Sequence, residues 1–522
     1  MKGNLINSVC YSLIALLLVF TTHAFGQVKV AGVFGDHMVL QRGMPVPIWG
    51  WSQPGEQITV NFNKQKQSTV TREDGRWEMN LPAMKAGGPF SLNVNGSTTV
   101  VFRDVYIGDV WLCSGQSNMD MTVAREDRYW CGVFNEAQEV ATANYPLIRV
   151  FDVPFHPTDT LQANVISSWE ICSPNTVGHF SATAFFFARE LYNRYKIPIG
   201  LITSAYGAST AEAWTSNEKL QSHPQLKFLL EEYAAKCNAY DTSKYAQEKY
   251  KSAYEKWKTE SIAAIAAGKD KPREPKNPDP KKDQHSPAVL FNGMVAPLIP
   301  FAIKGAIWYQ GESNGPTAKI YDKLMQALIE NWRVAWRQGD FPFLYVQLAN
   351  HQALIDQPVK DDPMVVVREM QLKNLSIANT GMVVAIDNAN PGDPNDIHPK
   401  NKQEIGKRLA LLARAKVYGE KNQFSGPLYS SMVIENNAIR ISFNHVGKSL
   451  VIKGDILKGF AIAGQDGKFV WADARIEGKT IVVSSSTIAR PVAVRYAWAK
   501  NPQANLFNDA GLPASPFRTD IE

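Results

Sequence analysis

Three rhythms of apolar and polar positions divide the chain. From residue 27 to about 103, short apolar runs alternate with polar residues between Gly and Pro breaks, as in "HMVLQRGMPVPIWGWSQPGEQITVNF". "REDGRWEMNLP" carries a hairpin-like Asp-Gly, and "PFSLNVNGSTTVVF" places two more strands around Asn95-Gly96. This period-two pattern predicts an all-β region, read as a small sandwich. From Val105 the pattern changes to strands alternating with amphipathic helices, which predicts a parallel-sheet α/β domain. Strands are expected at 105–113, 199–204, 305–309, 343–348 and 382–386, and helices at 181–195, 321–336 and 402–417. In the first of these helices Phe187, Leu191 and Tyr195 recur at helical spacing and read as a core face. After Tyr418 the chain returns to strand-like segments such as "AIRISFNHV", "TIVVSSS" and "VAVRYAW".

The expected organisation is therefore a leader at 1–26, a β domain at 27–103, an α/β domain at 104–418 and a second β domain at 419–522. At about 217–286 the α/β pattern is interrupted by "YAQEKYKSAYEKWKTESIAAIAAGKD" and then "KPREPKNPDPKKDQ". The first reads as a helical insertion with a solvated face or a partner surface, the second as a flexible return.

The leader, "MKGNLINSVCYSLIALLLVFTTHAFG", combines Lys2, an apolar run at 12–20 and small residues before Gln27. It predicts a cleavable secretory signal cut near Gly26-Gln27, and a secreted or periplasmic protein. The apolar run is short for a membrane span, so an uncleaved anchor is the lesser reading, and no later stretch is apolar enough to cross a bilayer. Loss of Lys2 takes the net charge from +6 to +5, an excess spread along the chain that leaves no nucleic-acid footprint. Cys113, Cys131, Cys172 and Cys237 remain; three pairings are open, no metal spacing is present, and Cys113 reads as a buried thiol within a strand.

In an open parallel sheet, sites gather beyond the carboxyl ends of the strands. Four such ends carry unusual residues: "SGQSNM" with Ser117, "TSAYGAST" with Gly207, "WYQGESNG" with Gln310, Glu312 and Asn314, and "DNANPGDPNDIHPKNK" with His398. They supply the parts of acyl transfer. A serine needs a base, which His provides near neutral pH, and the tetrahedral intermediate needs fixed donors for its oxyanion. The bland readings are an N-cap for Ser117, a packed histidine at a helix start, a turn residue at Asn314 and relief of backbone strain at Gly207.

The stretches "GQSNM", "YGASTAEAW", "NGMVAPLIPFAIKGAIWYQGESN" and "DIHPKNKQEIGKRLAL" resemble the sialate O-acetylesterases of the SGNH (GDSL-like) hydrolase superfamily. The closing "NPQANLFNDAGLPASPF" does so as well. The resemblance implies a three-layer α/β/α hydrolase domain flanked by β-sandwich-like domains. It implies a nucleophile at Ser117, a base at His398, and an oxyanion hole from the N–H groups of Ser117 and Gly207 with the Asn314 side chain. It also implies removal of O-acetyl groups from carbohydrate, with no cofactor and no metal. Gln116, Gln310 and Glu312 are the candidates for holding substrate, and Gln310 or Glu312 can equally make a supporting hydrogen bond.

Two departures stand out. Many relatives have two glycines where this chain has Gly207-Ala208, and a methyl there is expected to narrow the acyl pocket. The superfamily's Asp three residues before the histidine is Asn395 here. Asp396, two residues before His398, is then the expected acid, because residues two apart in extended chain face the same side. Asp393, Asp387 or no acid at all are the alternatives. Rival readings are an acetyl xylan or hemicellulose esterase, a glycosidase using Glu312 as general acid, and a non-catalytic carbohydrate-binding protein.

Overall fold

The computed structural model describes residues 27–520 apart from 127, 129, 270, 360 and 361. The expected signal segment lies outside the described residues. Among the described residues no helix is long and apolar enough to cross a membrane.

The centre is a seven-strand path in the order Trp169–Cys172, Tyr145–Asp152, Ile199–Ala205, Thr99–Gly115, Gly305–Tyr309, Phe343–Gln347 and Thr380–Val384. All neighbours are parallel except the first pair. The side chains of Thr99–Gly115 divide between the two faces with period two. Trp111 and Cys113 pack with Phe187 and Leu191 of the helix Ala182–Tyr195 and with Leu409 of the helix Lys402–Lys416. Val110 and Leu112 belong to the opposite layer, with Leu328 and Trp332 of Tyr321–Trp336 and Met370 of Pro363–Lys373. Burial on both faces explains why these strands read as continuous apolar runs rather than alternating ones. The α/β expectation is met as a three-layer arrangement, and the predicted helices start and stop within a residue of those observed.

The strand Thr99–Gly115 is 17 residues long and continues into the N-terminal β region, where it pairs with Gly87–Asn95 and with Val39–Gln41. The expected boundary at 103/104 therefore falls inside one strand, and the N-terminal strands extend the same sheet. A separate three-stranded sheet of Lys29–Val30, Val46–Trp51 and Arg76–Leu81 completes that region. At the other end, two four-stranded sheets share a core in which Ile439, Ile441 and Val483 of one meet Phe460, Val494 and Tyr496 of the other. Arg368, fully buried, holds this part to the α/β layer by donating to the carbonyls of Ala499 and Lys500 as well as Leu348. The segment expected at 217–286 forms the helices Asn217–Ser222, Lys227–Ala239 and Lys244–Ala266, the last with one buried residue, Ser261. The four described cysteines are free, with Cys113, Cys131 and Cys172 buried.

Chain order sets where a site can form. Thr99–Gly115 lies between Ile199–Ala205 and Gly305–Tyr309, so the connections leave its carboxyl end in opposite directions. That crevice is the switch point of the sheet. Gly115 closes the central strand with φ +146, and a Cβ there would come within 2.2 Å of the Tyr309 carbonyl oxygen. Gly115→Ala is accordingly expected to destabilise the fold by about 4 kcal/mol or more, through backbone strain and a backbone clash together. Thermal unfolding and soluble yield check this, and a variant as stable as the parent would contradict it.

Candidate active site

Ser117 opens a short helix, Ser117–Asp120, immediately beyond the strand's last residues. The Gln116 N–H donates to Tyr309 O at 3.0 Å, which pins the turn to the neighbouring strand. Gly207 follows Ile199–Ala205, and a Cβ built on it would stand 3.7 Å from the Ser117 Cβ. Among the described residues neither the Ser117 N–H nor the Gly207 N–H has an acceptor. Two backbone N–H groups without an acceptor therefore belong to the serine turn and to the turn packed beside it. Ala208 takes φ +55, the region glycine prefers, and is exposed, so its methyl makes a poor wall for an acyl pocket.

His398 comes from the loop after Thr380–Val384. Its Nε2 lies 2.9 Å from Ser117 Oγ and its Nδ1 lies 3.1 Å from Asp396 Oδ1. A carboxylate only accepts, so Nδ1 carries the proton toward Asp396 and Nε2 is left to accept from the serine hydroxyl. Asp396 is held in turn. Its Oδ1 accepts the His398 backbone N–H at 2.9 Å, and its Oδ2 accepts from Asn390 Nδ2 at 2.9 Å. Asn390 also donates to His398 O and accepts the Lys400 N–H, closing the loop on itself. Of the other candidate acids, Asp387 is paired twice with Arg408, at 2.7 and 2.9 Å, and Asp393 accepts the Asn395 N–H.

Burial lowers the His398 pKa below its ordinary 6.5; the Asp396 hydrogen bond opposes this and Lys402 adds to it. Burial alone would raise Asp396, yet its bonds to His398 and the nearby Lys400 leave it below 3.8. The imidazole is thus neutral and its partner ionised at neutral pH. Trp130 covers the ring with a centroid separation of 4.9 Å, and the Arg128 guanidinium lies 4.8 Å over the Trp130 ring. Arg128 is anchored on Asp120, the last residue of the serine's own helix, at 3.2 Å. Among the described residues no group of three His, Cys, Asp or Glu side chains is placed to hold a metal ion.

One expectation needs correction, and two open readings are narrowed. Asn314 offers no donor to an oxyanion. Its Oδ1 is fixed by the Ala211 N–H at 2.9 Å, which turns Nδ2 toward Glu212 Oε2 and Thr317 Oγ1, and both its hydrogens are spent there. Gln310 is fully buried, donating to Ser209 O and Asn314 Oδ1 and accepting from Tyr321 O–H, so it holds loops rather than substrate. Glu312 points its Oε1 at Asn118 Nδ2, 2.7 Å away, and its Oε2 is buried without a partner. Its carboxylate, buried and bonded to Asn118, is not presented to solvent as a general acid would be. Gln116 uses Oε1 on the Gly311 and Ser313 N–H groups, leaving only Nε2 to reach a ligand.

Sequence reasoning passed over Asn118, Asn390, Lys402 and Trp130. The first three lie within the quoted strand-end segments, but their roles depend on which loops meet. Trp130 lies in a segment with no periodic signal.

The family model described as carbohydrate esterase, sialic acid-specific acetylesterase, matches residues 289–414. The chain is 31% identical to human sialate O-acetylesterase over 94% of its own length and 92% of the relative's. To the mouse sialate O-acetylesterase it is 30% identical, with 94% of each covered. A crystal structure of a carbohydrate acetylesterase from Xanthomonas citri superposes with TM-score 0.78 at 34% identity, covering 95% of this chain and all of that one. With full-length relatedness above 30% and a whole-chain structural match, the chain belongs to the sialate O-acetylesterase family and is a carboxylic ester hydrolase.

Proposed function

We propose that the protein removes O-acetyl groups from sialic acids through an acetyl-serine intermediate. The observation that carries this reading is the continuous chain Ser117 Oγ, His398 Nε2, His398 Nδ1, Asp396 Oδ1, with links of 2.9 and 3.1 Å. Ser117 Oγ attacks the acetyl carbonyl carbon while His398 Nε2 takes its proton. Asp396 holds the other ring N–H and stabilises the imidazolium. The carbonyl oxygen becomes an oxyanion, which the Ser117 and Gly207 N–H groups receive. Collapse returns the proton from His398 to the departing sugar oxygen. Water activated by the same imidazole then cleaves acetyl-Ser117, releasing acetate and restoring the hydroxyl.

The sialate class is supported by the relatives' named substrate and by Arg128. Its guanidinium is stacked on the ring that covers His398 and is already paired with Asp120 and Glu126, so it offers a sugar carboxylate a shared rather than a free positive charge. The leader supports a secreted or periplasmic location, where acetylated glycans are met.

Acetate release from acetylated sialic acid and from acetylated xylo-oligosaccharides, measured side by side, tests both mechanism and sugar. Ser117→Ala is expected to lower release by at least roughly 10³-fold in a protein that still folds. Preference for the neutral xylo-oligosaccharide would overturn the sugar assignment, and full activity in the variant would overturn the mechanism. The base works only when unprotonated, and its pKa is lowered, so the acid limb of kcat/KM should be centred below pH 6.5. A decline centred above 6.5 would contradict the role given to the buried imidazole.

A further inference from the structure

A buried lysine, its pKa lowered by burial to about 7, is bonded to the residue that follows the nucleophile. Lys402 is fully buried, although it is the first residue of the helix Lys402–Lys416, where the helix dipole disfavours positive charge. Such a placement is costly unless every donor is used. Here two of the three are used, Nζ donating to Asn118 Oδ1 at 2.7 Å and to Pro399 O at 2.8 Å, and the group also sits 5.5 Å over the face of Tyr309. Asn118, also fully buried, donates its Nδ2 to Ile397 O at 3.1 Å and to the Glu312 carboxylate at 2.7 Å.

These four bonds have a common geometry. Ile397 and Pro399 are the two neighbours of His398, and Asn118 is the neighbour of Ser117. One carbonyl on each side of the base is therefore tied, by one side chain and one ammonium, to the residue adjoining the nucleophile. The base and the nucleophile share no covalent connection closer than 281 residues, so their 2.9 Å separation depends on such ties.

We propose that Lys402 is a positioning residue for acyl transfer, acting through Asn118 and the Pro399 carbonyl to seat His398 on Ser117. Glu312 completes the unit as the counter-charge, which gives the family-motif glutamate a task distinct from binding sugar. This inference rests on the Ser117–His398 reading above, but the two fail differently.

Lys402→Met keeps the length of the side chain and removes its donors. It is expected to lower kcat about 10²-fold, the scale of an ångström-sized misplacement, with KM within about twofold of the parent. The groups facing His398 are Asp396 and Lys400 from its own loop, Lys402 from the helix, Glu312 behind Asn118, and Arg128 above Trp130. Removing the Lys402 charge takes away one term that opposes protonation of the imidazole, so the acid limb of the kcat profile should move to higher pH. An unchanged kcat in a folded Lys402→Met protein would overturn the proposal, as would a loss confined to KM. If Ser117→Ala removes activity and Lys402→Met does not, this proposal fails alone; if Ser117→Ala stays active, the underlying reading fails. Should Lys402→Met not fold, Asn118→Asp carries the test. It retains the acceptor for Lys402 but loses the Nδ2–H bonds to Ile397 O and to Glu312, and faces the latter with a second carboxylate, so kcat should fall at constant KM, and a parental kcat would overturn the proposal.

Discussion

The hydrogen bond between His398 Nε2 and Ser117 Oγ is the contact on which the rest of the site depends, and two different parts of the fold must agree to make it. Ser117 is placed by the central strand, whose last residues are locked between two parallel neighbours. His398 is placed by a loop at the sheet's far side, after the last parallel strand. Neither position is worth anything alone. A rigid sheet fixes the serine, and a dense set of loop hydrogen bonds through Asn390, Asp396 and Asn118 brings the histidine to it. This division suits catalysis, because scaffold-held groups are more precisely placed than loop-held ones unless the loop is itself fully bonded.

Electrostatics follows from the same packing. Removing water from the imidazole disfavours its charged form, while a close carboxylate favours it, and at His398 burial prevails. The result is a base ready at neutral pH, with an ionised partner able to stabilise the imidazolium once the proton arrives. Asp396 can do this from two residues away because one carboxylate oxygen accepts both the ring and the backbone N–H of His398. That tight turn stands where the resemblance places an acid one residue earlier, at Asn395, whose backbone carbonyl lies 3.0 Å from His351 Nε2.

What the sequence revealed, and what it hid, separates along a physical line. Strand ends, helix positions and the backbone-driven features at Ser117 and Gly207 are local consequences of apolar runs and turn residues, and they were readable. Asp396 was expected from two-residue spacing in extended chain, yet it meets His398 through a tight turn in which its carboxylate also accepts the His398 N–H. Asn314 was misassigned, and Gln310 and Glu312 were left open, because all three lie where a buried strand gives way to the turn at Gly311, and sequence does not say which wall each side chain joins. All three turned inward, to Glu212, Ser209 and Asn118 respectively. The joined sheet at 99–115 was hidden for a similar reason: a change in pattern marks a change in burial, and one strand can pass through both environments.

The most direct test of the central claim is covalent capture of the serine. Treating the protein with a phosphonate ester that phosphonylates activated serines, followed by peptide mass analysis, should give a single adduct on Ser117, lost when His398 is replaced by Ala. An active enzyme that takes no label at Ser117, or that labels equally well without His398, would contradict the account.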